Sequence, residues 1–446
     1  MASMVGLFLP GVTPAANASP APQAAPLTPA PGAYNPLTPT RVTDTRPASG
    51  SANAGSTLGP HGSVNVNLLF AGVPATATAV SLSVTAVDGT SNGFLSVYPT
   101  GSVPTTPASG TNPPTSVLNY VAGGPFCNVL DCAVPNLVVS QVSAGQVTVV
   151  NSSGGTVDVV VDLEGYFDAM NATTSGNGHY QALTPYRVAD TRCVGSSQPS
   201  FCANENLPTS NTTAKLGAGQ NLDVPVTGVS MPGLGISAAV VQITATDTTG
   251  PGYLTAYPTG GTKPTASNVN FTTAGQSTST RAIVAVGANG DINIYNYTGN
   301  TNVVVDVMGL FSDATGLPAD GSLYTPVTPA RVVDTRPGSI GPMASLSPVQ
   351  VSGANGIPAS VNGSPTAAAL NVTEASSTTG GFLSVTPNLQ TPPVSTSDVN
   401  FAPGEFRANG DLATLDNSGA ISIFNYLGNT QVAVDAFGYF SAASGG

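Results

Sequence analysis

Val80-Ser81-Leu82-Ser83-Val84-Thr85 alternates an apolar and a small polar side chain at every step. Successive side chains of an extended strand point to opposite faces, so this pattern makes one apolar and one polar face. Ile292-Asn293-Ile294-Tyr295 does the same, while stripes at the helical spacing of three and four are hard to find. Val and Thr dominate the runs, and Gly, Pro, Asn and Asp interrupt them at intervals of about 8 to 12 residues. Asn289-Gly290 between two runs is a hairpin signal, because both residues tolerate positive φ. The chain reads as all-β and antiparallel.

The runs fall into three sets. Tyr34-Asn35-Pro36-Leu37-Thr38-Pro39-Thr40-Arg41-Val42-Thr43-Asp44-Thr45-Arg46 opens the first. Tyr180 to Arg192 (YQALTPYRVADTR) opens the second and Tyr324 to Arg336 (YTPVTPARVVDTR) the third, with the opening tyrosines 146 and 144 residues apart. Gly93-Phe94-Leu95-Ser96-Val97-Tyr98-Pro99 in the first matches Gly252 to Pro258 in the second and Gly381 to Pro387 in the third. The sets close on VDVVVDLEGYF at Phe167, TNVVVDVMGLF at Phe311 and TQVAVDAFGYF at Phe440. So long a period means whole domains in series, not coils of a solenoid. The expected organisation is residues 1–18 as a truncated signal peptide, 19–33 as an Ala/Pro-rich linker, and β-sandwich copies at 34–168, 180–313 and 324–446. Each copy has room for roughly seven or eight strands, and the sequence leaves jelly-roll and immunoglobulin-like topologies both open. The less alternating Val-Val-Val-Asp run is expected to be a central strand covered on both faces.

Composition narrows the function. The chain of 446 residues is 41% hydrophobic but only 7% charged, with a net charge of −12 and ten Lys plus Arg. A surface of Ser, Thr, Asn and Gly suits an extracellular β protein. Too few cations are present to track a phosphate backbone, which argues against nucleic acid. No basic amphipathic stretch or long apolar run points to membrane insertion of the mature chain. Ala16-Asn17-Ala18 after an apolar segment has the form of a signal-peptidase site, although no basic residue precedes it. Nothing after Phe440 resembles a sorting motif, so release or noncovalent attachment is the expectation. Four cysteines, Cys127, Cys132, Cys193 and Cys202, lie pairwise in loop-like insertions. In an exported chain local disulfides, Cys127–Cys132 and Cys193–Cys202, are the simplest reading. A zinc site is the rival, weakened by the lack of nearby histidines.

Six of the ten basic residues sit in the Arg-Val-x-Asp-Thr-Arg element: Arg41, Arg46, Arg187, Arg192, Arg331 and Arg336. With strict alternation Val42, Asp44 and Arg46 share one face of a strand and Arg41, Thr43 and Thr45 the other. Asp44, Asp190 and Asp334 can then accept from the arginine two residues on. Asp162, Asp306 and Asp435 end the Val-Val-Val-Asp runs, and the expectation is that the closing strand pairs with the opening one and brings these aspartates to an arginine. An Arg–carboxylate fork of this kind fixes register. The alternative is a ligand site for an anionic glycan or calcium, but calcium needs several oxygen ligands per site. Catalysis finds less support, since His61 and His179 do not recur and no nucleophile elbow or His-Glu-x-x-His motif is present. No metal or cofactor is implied.

The three motifs together resemble a module of exported actinobacterial and related proteins, occurring in tandem or appended to secreted enzymes. The resemblance spans about residues 34 to 440 and implies a secreted or wall-associated β module without implying an activity. The expected role is a non-catalytic, tandem-domain spacer or adhesin-like protein with a surface protein or polysaccharide as partner. The alternative is carbohydrate binding, with Tyr98, Tyr120, Tyr166 and Tyr257 as stacking residues; those positions also suit the core, and the chain has no Trp.

Overall fold

The computed structural model describes residues 30–442 except 48, 105–112, 123–132, 170–176, 195–197, 201, 203–206, 208–212, 227–234, 314, 316–320 and 389–395. Copy 1 contributes β1 (Ala33–Asp44), β2 (Ser63–Asn67), β3 (Ala77–Val87), β4 (Gly93–Pro99), β5 (Leu118–Tyr120), β6 (Val134–Gln141), β7 (Gln146–Asn151) and β8 (Asp158–Asp168). Copy 2 contributes β9 (Tyr180–Asp190), β10 (Asn221–Pro225), β11 (Ile236–Thr246), β12 (Gly252–Pro258), β13 (Val269–Phe271), β14 (Thr278–Ala285), β15 (Asp291–Asn296) and β16 (Asn302–Ser312). Copy 3 contributes β17 (Ser322–Asp334), β18 (Ala344–Gln350), β19 (Ala367–Ala375), β20 (Gly381–Pro387), β21 (Val399–Phe401), β22 (Phe406–Thr414), β23 (Ala420–Asn425) and β24 (Gln431–Ala442).

Strand order settles the topology. Copy 1 has one sheet in the order β1-β8-β3-β6 and a second in the order β2-β7-β4-β5. The first and last strands are neighbours, and every hydrogen-bonded pair is antiparallel. This is the jelly roll, not the immunoglobulin order. Copies 2 and 3 repeat it, each with one sheet of four strands, β10-β15-β12-β13 and β18-β23-β20-β21, and a second that runs into its neighbour's. The predicted turn at Asn289-Gly290 is present, with Gly290 alone taking positive φ (82°). Asn289 instead accepts from the Asp291 N–H through its side chain.

The copies are not strung out in series. Ser322 pairs with Tyr180, Gly32 with Tyr324, and the Tyr34 N–H donates to the Gly178 carbonyl at 2.8 Å. Copy 3 thus meets copy 2, copy 1 meets copy 3 and copy 2 meets copy 1, which closes a ring of approximate threefold character. At its centre the opening tyrosine of each copy meets the closing phenylalanine of another. Tyr34–Phe311, Phe167–Tyr324 and Tyr180–Phe440 have ring centroids 4.4, 4.5 and 4.4 Å apart. All six rings are buried in one apolar cluster that draws on all three copies.

The ring explains the closing strands. In β8, Val159, Val161 and Leu163 point into the copy 1 sandwich. Val160, Asp162 and Glu164 point the other way and are buried as well, because another copy lies there. Both faces of the strand are covered, one by its own second sheet and one by a neighbour. In β3, alternating small Ser81 and Ser83 are buried for the same reason, and Tyr34 hydrogen-bonds to Ser81 at 2.8 Å.

Candidate functional site

Five of the six positions of the Arg-Val-x-Asp-Thr-Arg element, all but x, have a structural task that is the same in each copy. Opening and closing strands pair as β1 with β8, β9 with β16 and β17 with β24, placing Arg41 opposite Asp162, Arg187 opposite Asp306 and Arg331 opposite Asp435. The arginine Nε lies 2.7, 2.8 and 2.5 Å from the respective carboxylates. One step later the register shifts, so that Val42, Val188 and Val332 are extra residues without a partner. Such a bulge resets alternation. Arg41 therefore shares a face with Asp44, 3.1 Å away, which corrects the strict alternation expected from sequence. Arg187–Asp190 and Arg331–Asp334 follow at 3.5 and 2.7 Å.

The aspartate of the element accepts from the residue two positions on, through both backbone N–H and guanidinium. For Asp44 and Arg46 the distances are 3.2 and 3.0 Å. For Asp190 and Arg192 they are 3.0 and 2.8 Å, and for Asp334 and Arg336 3.1 and 2.8 Å. Short side-chain-to-backbone bonds of this kind stop the strand and turn the chain. The threonine accepts a backbone N–H from the closing strand: Val159 to Thr45 at 2.8 Å, Val303 to Thr191 at 2.9 Å and Val432 to Thr335 at 2.8 Å.

These contacts reach across the seams between copies. Arg41 Nη2 donates to the Thr265 carbonyl of copy 2 at 3.4 Å, and Arg331 Nη2 to the Pro114 carbonyl of copy 1 at 3.0 Å. Asp435 also accepts from the Ser116 N–H at 3.1 Å, Asn371 donates to the Ser116 carbonyl at 2.7 Å, and Asn136 donates to Asn371 at 2.9 Å. Between copies 2 and 3, buried Arg281 pairs with Asp398 and, at 3.0 Å, with Asp411. Between copies 1 and 2, Glu164 accepts from Asn268 and from the Ile283 N–H at 3.3 and 3.4 Å.

Burial and pairing oppose each other in these acids. Burial raises the pKa of Asp162, Asp306 and Asp435, and the facing arginine offsets it only in part. Burial also works against Asp44, but the bonds from Arg46 and the charges of Arg46 and Arg41 outweigh it and hold its pKa below the usual range. The hydrogen bond from Arg336 takes Asp334 down to about 2. Glu164, fully buried and without a cation partner in its hydrogen bonds, is pushed up to about 8.

The charge inventory decides what else the surface can bind. All eight arginines are in ion pairs: the six of the repeated element, Arg281, and Arg407 with Glu405 at 3.3 Å. The ammonium of Lys263 sits 4.7 Å from the Tyr295 ring centroid. Among the described residues, no group of three or more His, Cys, Asp or Glu side chains is placed to hold a metal ion. His179 is buried, and burial lowers its pKa. Cys193 and Cys202 form a disulfide; Cys127 and Cys132, like residues 1–18, lie outside the described residues. No described helix is long and apolar enough to cross a membrane.

Of the four tyrosines considered for sugar stacking, Tyr98, Tyr120 and Tyr257 are buried. Their hydroxyls bond Thr115, Asn151 and Asn221. Tyr166 packs partly buried against the central cluster. The accessible stacked aromatics are others: Tyr253–Tyr297, 4.5 Å apart at 10°, and Phe382–Tyr426, 4.6 Å apart at 13°. Sequence reasoning missed them, although Asn296-Tyr297 and Asn425-Tyr426 recur at the same point of copies 2 and 3.

No protein-family model and no curated protein matches the chain. Solved structures of viral proteins superpose weakly. A chain described under "The Triple Jelly Roll Fold and Turret Assembly in an Archaeal Virus" is 9% identical, with 92% of this chain and 90% of that one covered, at a TM-score of 0.18. A chain of Sulfolobus Turreted Icosahedral Virus is 10% identical over 92% and 91%, at 0.17. The STIV MCP is 10% identical over 51% and 94%, at 0.16. Superpositions this loose carry no argument, and the jelly-roll assignment rests on the strand order.

Proposed function

We propose that the protein is a non-catalytic structural and interaction protein of the cell exterior, acting as a single-chain, three-lobed block. The observation that carries this reading is where the charged chemistry goes. The repeated arginines and aspartates, the most conspicuous reactive residues of the chain, hold strand ends and seams together. Export is supported by the Cys193–Cys202 disulfide, which suits an oxidising compartment, and by the resemblance to exported modules. In place of domains strung in series as a spacer, the ring offers three sets of loops on one closed body, an arrangement in which weak contacts add through effective concentration. A surface protein or polysaccharide is the proposed partner.

The test is fractionation of the producing cells into medium, wall, membrane and cytoplasm with an antibody to the chain. Recovery in medium or wall is expected; confinement to the cytoplasm would contradict the reading.

A further inference from the structure

We propose that the cleft between copies 2 and 3 is a binding site for a neutral oligosaccharide, with the Phe382–Tyr426 pair as its stacking platform. The cleft has a volume of about 620 Å³, within the usual range for small-molecule sites. One wall is the turn that joins β13 to β14 in copy 2. The other is formed by the ends of β20 and β23 in copy 3, where the two rings lie nearly parallel at 13°. Tyr426 is 38% and the adjoining Leu427 43% exposed. A stack that only filled a core would be covered, as Tyr98 and Tyr120 are.

The rest of the lining, from both copies, is hydroxyl- and amide-rich, and its side chains are held in place. Gln276 accepts from the backbone N–H groups of Thr272 and Thr273 at 2.7 and 3.3 Å. Asn400 donates to Ser279 at 2.8 Å and to Ser397 at 3.0 Å. The carboxylate in the lining, Glu405, is taken by Arg407 and by the Ala402 N–H at 2.8 Å. A flat apolar face opposed by fixed, uncharged polar groups fits a ligand with a flat apolar face and a rim of hydroxyls, which is a sugar ring. Charge selects within that class. With every arginine committed to a carboxylate and a net charge of −12, a polyanionic glycan is repelled and a neutral one is not. The same stacked pair recurs in copy 2 as Tyr253 and Tyr297, whereas copy 1 has Phe94 and Ser152.

This names a ligand class for the interaction role above and fails separately from it, since an exported chain need not bind sugar. The test uses the full chain with cello-, laminari-, manno-, xylo- and chito-oligosaccharides, read by saturation-transfer NMR and by titration of tyrosine fluorescence, which no Trp obscures. At least one of them should bind saturably. Tyr426→Ala should weaken it roughly tenfold or more, the scale of one lost aromatic contact, and Tyr426→Phe should leave affinity within about twofold. Ala274→Trp, read by NMR alone because the added Trp masks tyrosine emission, obstructs the cleft from the copy 2 wall without touching the stack and should also abolish binding. Unfolding temperatures of the variants, close to that of the parent, separate lost binding from lost folding. The proposal is overturned if none of these sugars binds, if binding survives both Tyr426→Ala and Ala274→Trp, or if the cleft instead captures an extended peptide.

Discussion

Val42, Val188 and Val332 each occupy a point where one strand carries a residue that its partner lacks, and that extra residue turns the preceding arginine toward two carboxylates at once. A guanidinium can serve both because its donors form a rigid fork; an ammonium cannot. Arg41→Lys should therefore keep the charge yet cost about 2 kcal/mol, the worth of a lost charge-assisted hydrogen bond or two, measured by denaturant unfolding. A loss below about 0.5 kcal/mol would show that charge alone suffices. Glu164 makes a prediction of opposite character. Its folded pKa of about 8 lies well above the ordinary glutamate value of 4.5, so the folded state holds the proton more tightly. Its contribution is fully present below about pH 4.5 and is lost as pH rises toward 8, by a few kcal/mol in order of magnitude. Thermal unfolding should occur at lower temperature at pH 8.5 than at pH 5.5, and Glu164→Gln should reduce the difference. An unchanged difference would mean that Glu164 is not buried at a seam.

At the scale of elements, the closing strand shows what a sequence can and cannot disclose. Its Val-Val-Val-Asp run reads correctly as a strand covered twice, because polar positions that face water are missing. What covers the second face was not legible, since no local pattern says whether a neighbour is a helix, a sheet or another copy. The glycine two residues before each closing phenylalanine is similar. Gly165, Gly309 and Gly438 recur visibly, but only the structure shows that a Cβ there would strike the rings of Tyr34, Tyr180 and Tyr324. Gly410 on β22 is the corresponding case at a seam, where an added Cβ would meet the Leu137 carbonyl of copy 1. Backbone cannot yield as a flexible side chain can, so Gly410→Ala should destabilise by about 2–3 kcal/mol. Calorimetry showing no loss would place copies 1 and 3 further apart than described. The aspartates and arginines of the repeated element were readable as partners because each occurs three times at one offset. The bulge was not, because a valine in a bulge and a valine in a regular strand look alike in one dimension.

For the whole molecule, the three copies share one apolar hub, while copies 2 and 3 each keep a further core between their own two sheets. Tyr34, Phe167, Tyr180, Phe311, Tyr324 and Phe440 are the marks by which the copies are counted in sequence, and they are also what binds the copies to one another. Opening the ring would expose all six rings and the buried acids of the seams. The copies are therefore expected to unfold together, and a series of linked beads would not. Small-angle X-ray scattering of the full chain distinguishes the two most directly. A closed ring predicts a radius of gyration near that of a compact body of this length, about 22 Å, whereas three such domains in a line would give roughly 30 Å or more and contradict the shared hub.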